Sequence, residues 1–243
     1  MRLLTFTNRT AKEILRDPLT IIFGLGFPLV LILLLSAIQA NVPVSLFEIA
    51  NLTPGITVFG LAFMTLFSAT LIAKDRETAL MQRLYTTPLK ATDFILGYTL
   101  PIIPIAIVQS LICYVVAVII GLEITVSIIW AIFMIAPVSV FFIALGLLLG
   151  SILNVKQVGG ICGALLTNLT AWLSGVWFDL ELVGGTFKKI AGVLPFVHAV
   201  ELERAVLSEN YGDIFPHLWW VLGYAIGAIL LAIIVFLHQM KKQ

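Results

Sequence analysis

The chain has 243 residues, of which 60% are apolar and only 11% charged, against roughly half apolar and a quarter charged in soluble domains. A fold in water has nowhere to hide that much apolar surface, and a net charge of +1 offers no basic face for nucleic acid. A bilayer core about 30 Å thick takes roughly 20 apolar residues per helix, so the sequence is read as one all-α polytopic membrane domain over residues 1–243, with six transmembrane helices and short connections. Cys113 and Cys162 both sit in apolar stretches, which points to buried thiols rather than a disulfide or metal site. Residues 1–18 lack the short apolar core of a cleavable signal.

Residues 3–17 alternate apolar and basic positions at helical spacing. Leu3, Phe6 and Ile14 fall on one side, Arg2, Arg9, Lys12 and Arg16 mostly on the other, which predicts an interfacial helix lying along the membrane. Asp17-Pro18 ends it, because the residue before proline is pushed out of helical geometry. The first span follows at about 19–40, with a kink expected at Pro28. Thr53-Pro54 is a helix-start signal in a second span, about 51–73, that carries Phe59, Phe63 and Phe67 one per turn. The third, 94–120, holds Pro101 and Pro104, and the fourth, 126–153, holds Pro137. Such prolines are tolerated where neighbours satisfy the freed carbonyls. A tight turn at 154–157 leads into a fifth span over 158–178, and the sixth covers 215–237. The pairs Gly146/Gly150, Gly159/Gly163 and Gly223/Gly227 either let helices approach closely or reflect the abundance of glycine in membrane helices.

Lysine and arginine set the orientation. With both termini cytoplasmic, the inner segments hold Arg2, Arg9, Lys12, Arg16, Lys74, Arg76, Arg83, Lys90, Lys156, Lys241 and Lys242, and the outer ones only Lys188, Lys189 and Arg204. The expected location is therefore a plasma or inner membrane, crossed several times.

Two segments are not plain spans. Residues 75–88 form a short charged helix, with Asp75 able to cap it and Pro88 near its stop. Leu80, Met81 and Leu84 share a face, and Arg76, Glu77 and Arg83 surround it. Such a helix suits docking into a partner's groove; the alternative is a solvated loop whose basic residues serve topology. The outer segment 179–216 is too apolar for a free loop. Phe187, Ile190, Val193 and Leu194 recur at helical spacing, Pro195 breaks the chain, and 197–207 forms a second helix with His198, and with Glu201 and Arg204 one turn apart. Two short helices re-entering the outer leaflet would lid a pathway; an amphipathic cap on the surface is the alternative. His198 and Glu201 imitate a metal pair, but His-Glu-x-x-His is absent, and no metal is expected.

In this order of parts the chain resembles the ABC-2 type permease family over nearly its whole length. The most specific stretch is Arg76-Glu77, Arg83-Leu84 and Thr86-Thr87-Pro88-Leu89 followed by Gly97; Leu173-Ser174-Gly175 with Trp177 and Phe178, and Leu194-Pro195 with Arg204, also match. Ala79-Leu80, Gln82 and Asp179 depart from the family's usual residues. The resemblance implies the membrane half of an ATP-binding cassette exporter, paired with an identical or related second permease. It further implies a cytosolic ATP-binding subunit docked on residues 75–88 as coupling helix. ATP and magnesium would belong to that subunit, since this chain has no Gly-x-x-x-x-Gly-Lys-Ser/Thr cradle and holds no cofactor or catalytic residue of its own. The second and fifth spans would line a central cavity, with Phe63, Phe67, Asn168 and Trp172 as candidates for touching cargo; packing or lipid-facing roles are the alternative.

Rival classes lack their chemistry. An intramembrane enzyme or an ion-coupled carrier uses ionisable groups at depth, and the six predicted spans contain no aspartate, glutamate, lysine or arginine. A non-transporting scaffold or sensor subunit stays open. With so few charges in the spans, the expected cargo is apolar or amphipathic: a drug, lipid or peptide.

Overall fold

The computed structural model describes residues 2–42, 44–78 and 91–240. Their regular structure is entirely helical, with no strand among them. Helix α1 (Arg2–Arg16) buries Phe6, Thr10 and Ile14; Phe6 meets the rings of Phe94 and Tyr98 edge-on at 5.6 and 5.0 Å. The amphipathic pattern thus serves a packed contact within the chain.

Helix α2 (18–41) contains the first span, Ile22–Asn41. The disturbance expected at Pro28 falls one turn earlier, where Ile22–Gly26 is π-helical and Phe27 N–H donates to Ile22 O. Pro28 has no N–H and its ring crowds the carbonyl four residues back, and widening the preceding turn relieves both problems. Helix α3 (Ile49–Glu77) is the most deeply buried of the long helices. It tightens at Leu61, whose N–H turns to Val58 O. The Thr57 carbonyl released there accepts instead from Gln109 Nε2 at 2.9 Å, a buried side chain supplying what the ladder gives up. Helix α3 also runs beyond its expected end at Ala73. Asp75, Arg76 and Glu77 are its last turn rather than the start of a new helix.

Helix α4 (Thr92–Ile120) breaks at Leu100-Pro101, and α5 (Val126–Ile152) absorbs Pro137 without a break. Helices α3 and α5 form the closest pairing. A Cβ at Gly146 would stand 2.5 Å from Thr65 O, and one at Gly150 would stand 2.6 Å from Ala69 O, so these glycines let the two backbones meet. Thr65 Oγ1 donates to Phe142 O across the same seam at 2.7 Å. A Cβ at Gly159, Gly223 or Gly227 would meet nothing within 4 Å, and one at Gly163 would make only ordinary contact with Leu66. Of the three pairs, only the first packs helix on helix within the chain.

The expected fifth span becomes α6 (155–173), π-helical over Gly159–Leu166. Among the described residues, five helices are long and apolar enough to cross a membrane: Ile22–Asn41, Ile49–Glu77, Thr92–Ile120, Val126–Ile152 and Tyr211–His238. Helix α6 is not among them. Lys156, Gln157 and Asn168 dilute its apolar run, and it stops at Leu173, short of Phe178, where Gly175 takes φ 71°. The outer segment holds three helices, not two: α7 (Leu180–Val183), α8 (Gly185–Val193) and α9 (Pro195–Leu207). Pro195 opens α9 at its first turn, where a missing N–H costs nothing. Helix α9 packs on α3, α5 and the final helix α10 (Tyr211–Met240), with Phe196, Ala199, Val200 and Leu202 buried. Helix α8 lies outside it, with Ile190 and Val193 exposed.

Candidate functional site

Three constellations stand out along the bundle. At the end of the bundle that holds α1, Arg9 of α1 forks onto Asp75 of α3, with Nη1 to Oδ2 at 2.6 Å and Nη2 to Oδ1 at 2.7 Å. Tyr98 Oη of α4 donates to the same carboxylate at 2.7 Å, and Arg9 also pairs with Glu13 at 2.7 Å. Asp75 is almost fully buried, so the planar guanidinium and the phenol replace water around its oxygens. The hydrogen bonds to Asp75 raise the Arg9 pKa further. Burial lifts that of Glu13 above the usual carboxylate value, against the opposing pull of Arg9. Asp75 therefore clamps three elements together instead of capping a helix, a role that sequence reasoning missed because Arg9 lies far away in the chain.

Beside this clamp, Arg76 Nη1 donates to Gly150 O at 2.9 Å and Leu153 O at 3.1 Å, closing the C-terminus of α5. Glu77 accepts from Val155 N–H at 2.9 Å, at the first turn of α6. Both residues bind within the chain. Leu80, Met81, Arg83, Leu84 and Pro88 lie outside the described residues.

Through the middle runs an aromatic stripe. Phe67, Phe63 and Phe59 of α3 follow one another at 6.4 and 6.3 Å between ring centres. Phe27 of α2 stands 5.5 Å from Phe63, and Phe23 stands 6.2 Å from it. Trp177 extends the stripe outward, 6.0 Å from Phe59. Phe63 thus joins rings of α2 and Phe67 stands behind it on α3, while Asn168 and Trp172 are on the exposed side of α6. Asn168 bonds to its own helix at Ala164 O, 2.8 Å away. The single chain does not bring these four residues together. A cavity of about 1080 Å³ opens at the Phe67 end, beneath α1, and another of about 900 Å³ at the Trp177 end.

At the opposite end of the bundle, Arg204 stitches three elements: Nη1 donates to Glu201 at 2.8 Å, Nε to Asn51 O at 3.4 Å and Nη2 to Gly175 O at 3.3 Å. His198 stacks on Trp220 at 4.8 Å and faces His217 rather than Glu201. Its Nε2 lies 2.9 Å from Gly192 O, a group that only accepts, so Nε2 carries the proton. The Nδ1 to Nδ1 contact at 2.8 Å then takes its hydrogen from His217. Deeper on α9, Glu203 is fully buried, with Tyr114 Oη 3.5 Å from Oε2 and no partner for Oε1 among the described residues. Burial raises its pKa well above the ordinary carboxylate value. No motif marks Glu203 in the sequence; its neighbours on a single helix look like any amphipathic turn.

The family model for ABC-2 type transporters matches residues 1–208. The chain belongs to that family. Nodulation protein J of Bradyrhizobium diazoefficiens is 26% identical over 199 residues, covering 82% of this chain and 74% of that protein. This ABC-2 chain is accordingly a multi-pass membrane protein and a transporter component.

Proposed function

We propose that the chain is the permease subunit of an ATP-driven exporter, pairing with a second permease, identical or related, to move an apolar or amphipathic substrate outward. The family match over residues 1–208 carries this reading. ATP hydrolysis, with its magnesium, belongs to a cytosolic subunit that docks on residues 75–88. The firm inner end of α3 is in favour of such a dock. Arg9, Arg76 and Glu77 tie the last turn of α3, where the docking segment begins, to α1, α5 and α6, so a push there would reach several helices at once instead of being lost in one.

A sixth crossing by α6 accords with the same contacts. Its first turn is at Glu77, at one end of α3, and the Gly175 carbonyl just beyond it shares Arg204 with Asn51 at the other. An even number of crossings keeps both termini on the cytoplasmic side, in line with the lysine and arginine distribution. The exposed Trp172 and Asn168 on α6 suit a second permease, whose stripe would complete the pathway with Phe63 and Phe67. Co-purification from the native host tests the reading. An ATP-binding subunit is expected with the intact chain and is lost on Leu80→Asp with Leu84→Asp; an intact chain that brings no such subunit overturns it.

A further inference from the structure

The two cavities at the ends of the aromatic stripe differ in charge. The outer one holds Lys188 and Arg204, and each is matched by an acid, Glu181 and Glu201 respectively. In the inner one, Arg9 is engaged by Asp75 and Glu13. Lys12 of α1 and Lys74 of α3 line the same cavity, are exposed, and make no ion pair among the described residues. Arg16 adds a third cation at its rim. Below these groups the wall is apolar: Phe23, on the π-helical turn of α2, and Phe67 and Leu71 of α3. A π-helical turn often marks a functional position. The volume, about 1080 Å³, is at the upper end of small-molecule sites.

Two acids line the cavity as well, Asp17 and Glu13, and Glu13 feels Lys74 besides Arg9, but four cations stand against them; an excess of cations over an aromatic floor fits one ligand chemistry. We propose that the cavity between α1, α2 and α3 binds an amphiphile with an anionic head, drawn from the cytoplasmic leaflet. Lys12 and Lys74 hold the head as point charges, and the tail lies against Phe23 and Phe67, the inner end of the stripe. The inference rests on the transporter reading only for the inward placement of α1; binding itself is a property of the purified chain. Lysines that serve topology alone would attract anionic lipid over the whole inner rim and would not direct it into this cavity.

The test uses the full chain in phosphatidylcholine nanodiscs with trace photoactivatable lipid, its diazirine on the acyl chain, either phosphatidylglycerol or phosphatidylcholine. The glycerol lipid is expected to label peptides containing Phe23 and Phe67, and the choline lipid is not. Lys12→Gln with Lys74→Gln lowers that labelling about thirty-fold, as two surface lysines contribute to anionic lipid binding. Lys12→Arg with Lys74→Arg keeps it, as does Lys188→Gln with Lys189→Gln. Equal labelling by the two lipids, labelling spread over the outward faces of α5 and α10, or loss of label in the arginine pair as well as the glutamine pair would each overturn the proposal. A failed co-purification with an ATP-binding subunit would leave it standing.

Discussion

Replacing Arg9 by Met isolates the inner clamp. The Asp75 side chain is 4% exposed and that of Arg9 34%, so the variant strands a buried carboxylate that keeps only Tyr98 as donor. Breaking one side of a buried ion pair costs about 3–5 kcal/mol, and the partly exposed Arg9 sets the expectation at the lower end, about 3 kcal/mol. Glu13, freed at the same time, adds little because it is itself a third exposed. Arg9→Met with Asp75→Leu removes the stranded charge and is expected to recover about 2 kcal/mol of that loss, the coupling typical of groups in one network. Unfolding titrations in mixed micelles, on single and double variants together, measure the cycle. Two single effects that add to within about 0.5 kcal/mol would refute the clamp and leave Arg9 as an ordinary interfacial cation.

Glu203→Gln should stabilise the fold at neutral pH. The folded carboxyl holds its proton above the ordinary value of 4.5, so the stability linked to that proton is complete below the free value and is lost as pH rises toward the folded one; the glutamine variant should lose this slope in a pH series of melting temperatures. Gly150→Leu forces a side chain against the Ala69 backbone and should cost about 1–3 kcal/mol, whereas Gly227→Leu should stay within about 0.5 kcal/mol. Both are read by the same unfolding titration. Arg76→Ala leaves the Gly150 and Leu153 carbonyls without their donor and should cost about 1–3 kcal/mol, with Arg76→Lys recovering part.

Much of the architecture was legible in the sequence because a bilayer demands long apolar runs. The four strongest runs after the first, at α3, α4, α5 and α10, stand where hydropathy expects them, and Pro195 divides the outer segment as proline should. Helix α6 was over-extended because apolar residues continue through Val176 to Phe178 while the backbone already turns at Gly175. What failed was long-range pairing. Asp75 reads as a cap from its neighbours and becomes a buried counter-ion only when α1 folds back over α3 and α4. His217 and Glu203 are equally mute, one inside an apolar helix and one on a short amphipathic turn. The stripe of Phe59, Phe63 and Phe67 was legible as one phenylalanine per turn, and Trp177 joins it across the turn at Gly175. Asn168 and Trp172 are not brought to those phenylalanines, since helical periodicity cannot say which face of α6 the bundle covers.

ATP hydrolysis, measured on the chain purified alone and with its co-purifying subunit, tests the central claim most directly. The account predicts no hydrolysis by the chain alone, hydrolysis by the complex, and loss of both the subunit and the activity in the Leu80→Asp, Leu84→Asp variant. Hydrolysis by the isolated chain, or a complex that forms unchanged with both leucines replaced, would contradict it.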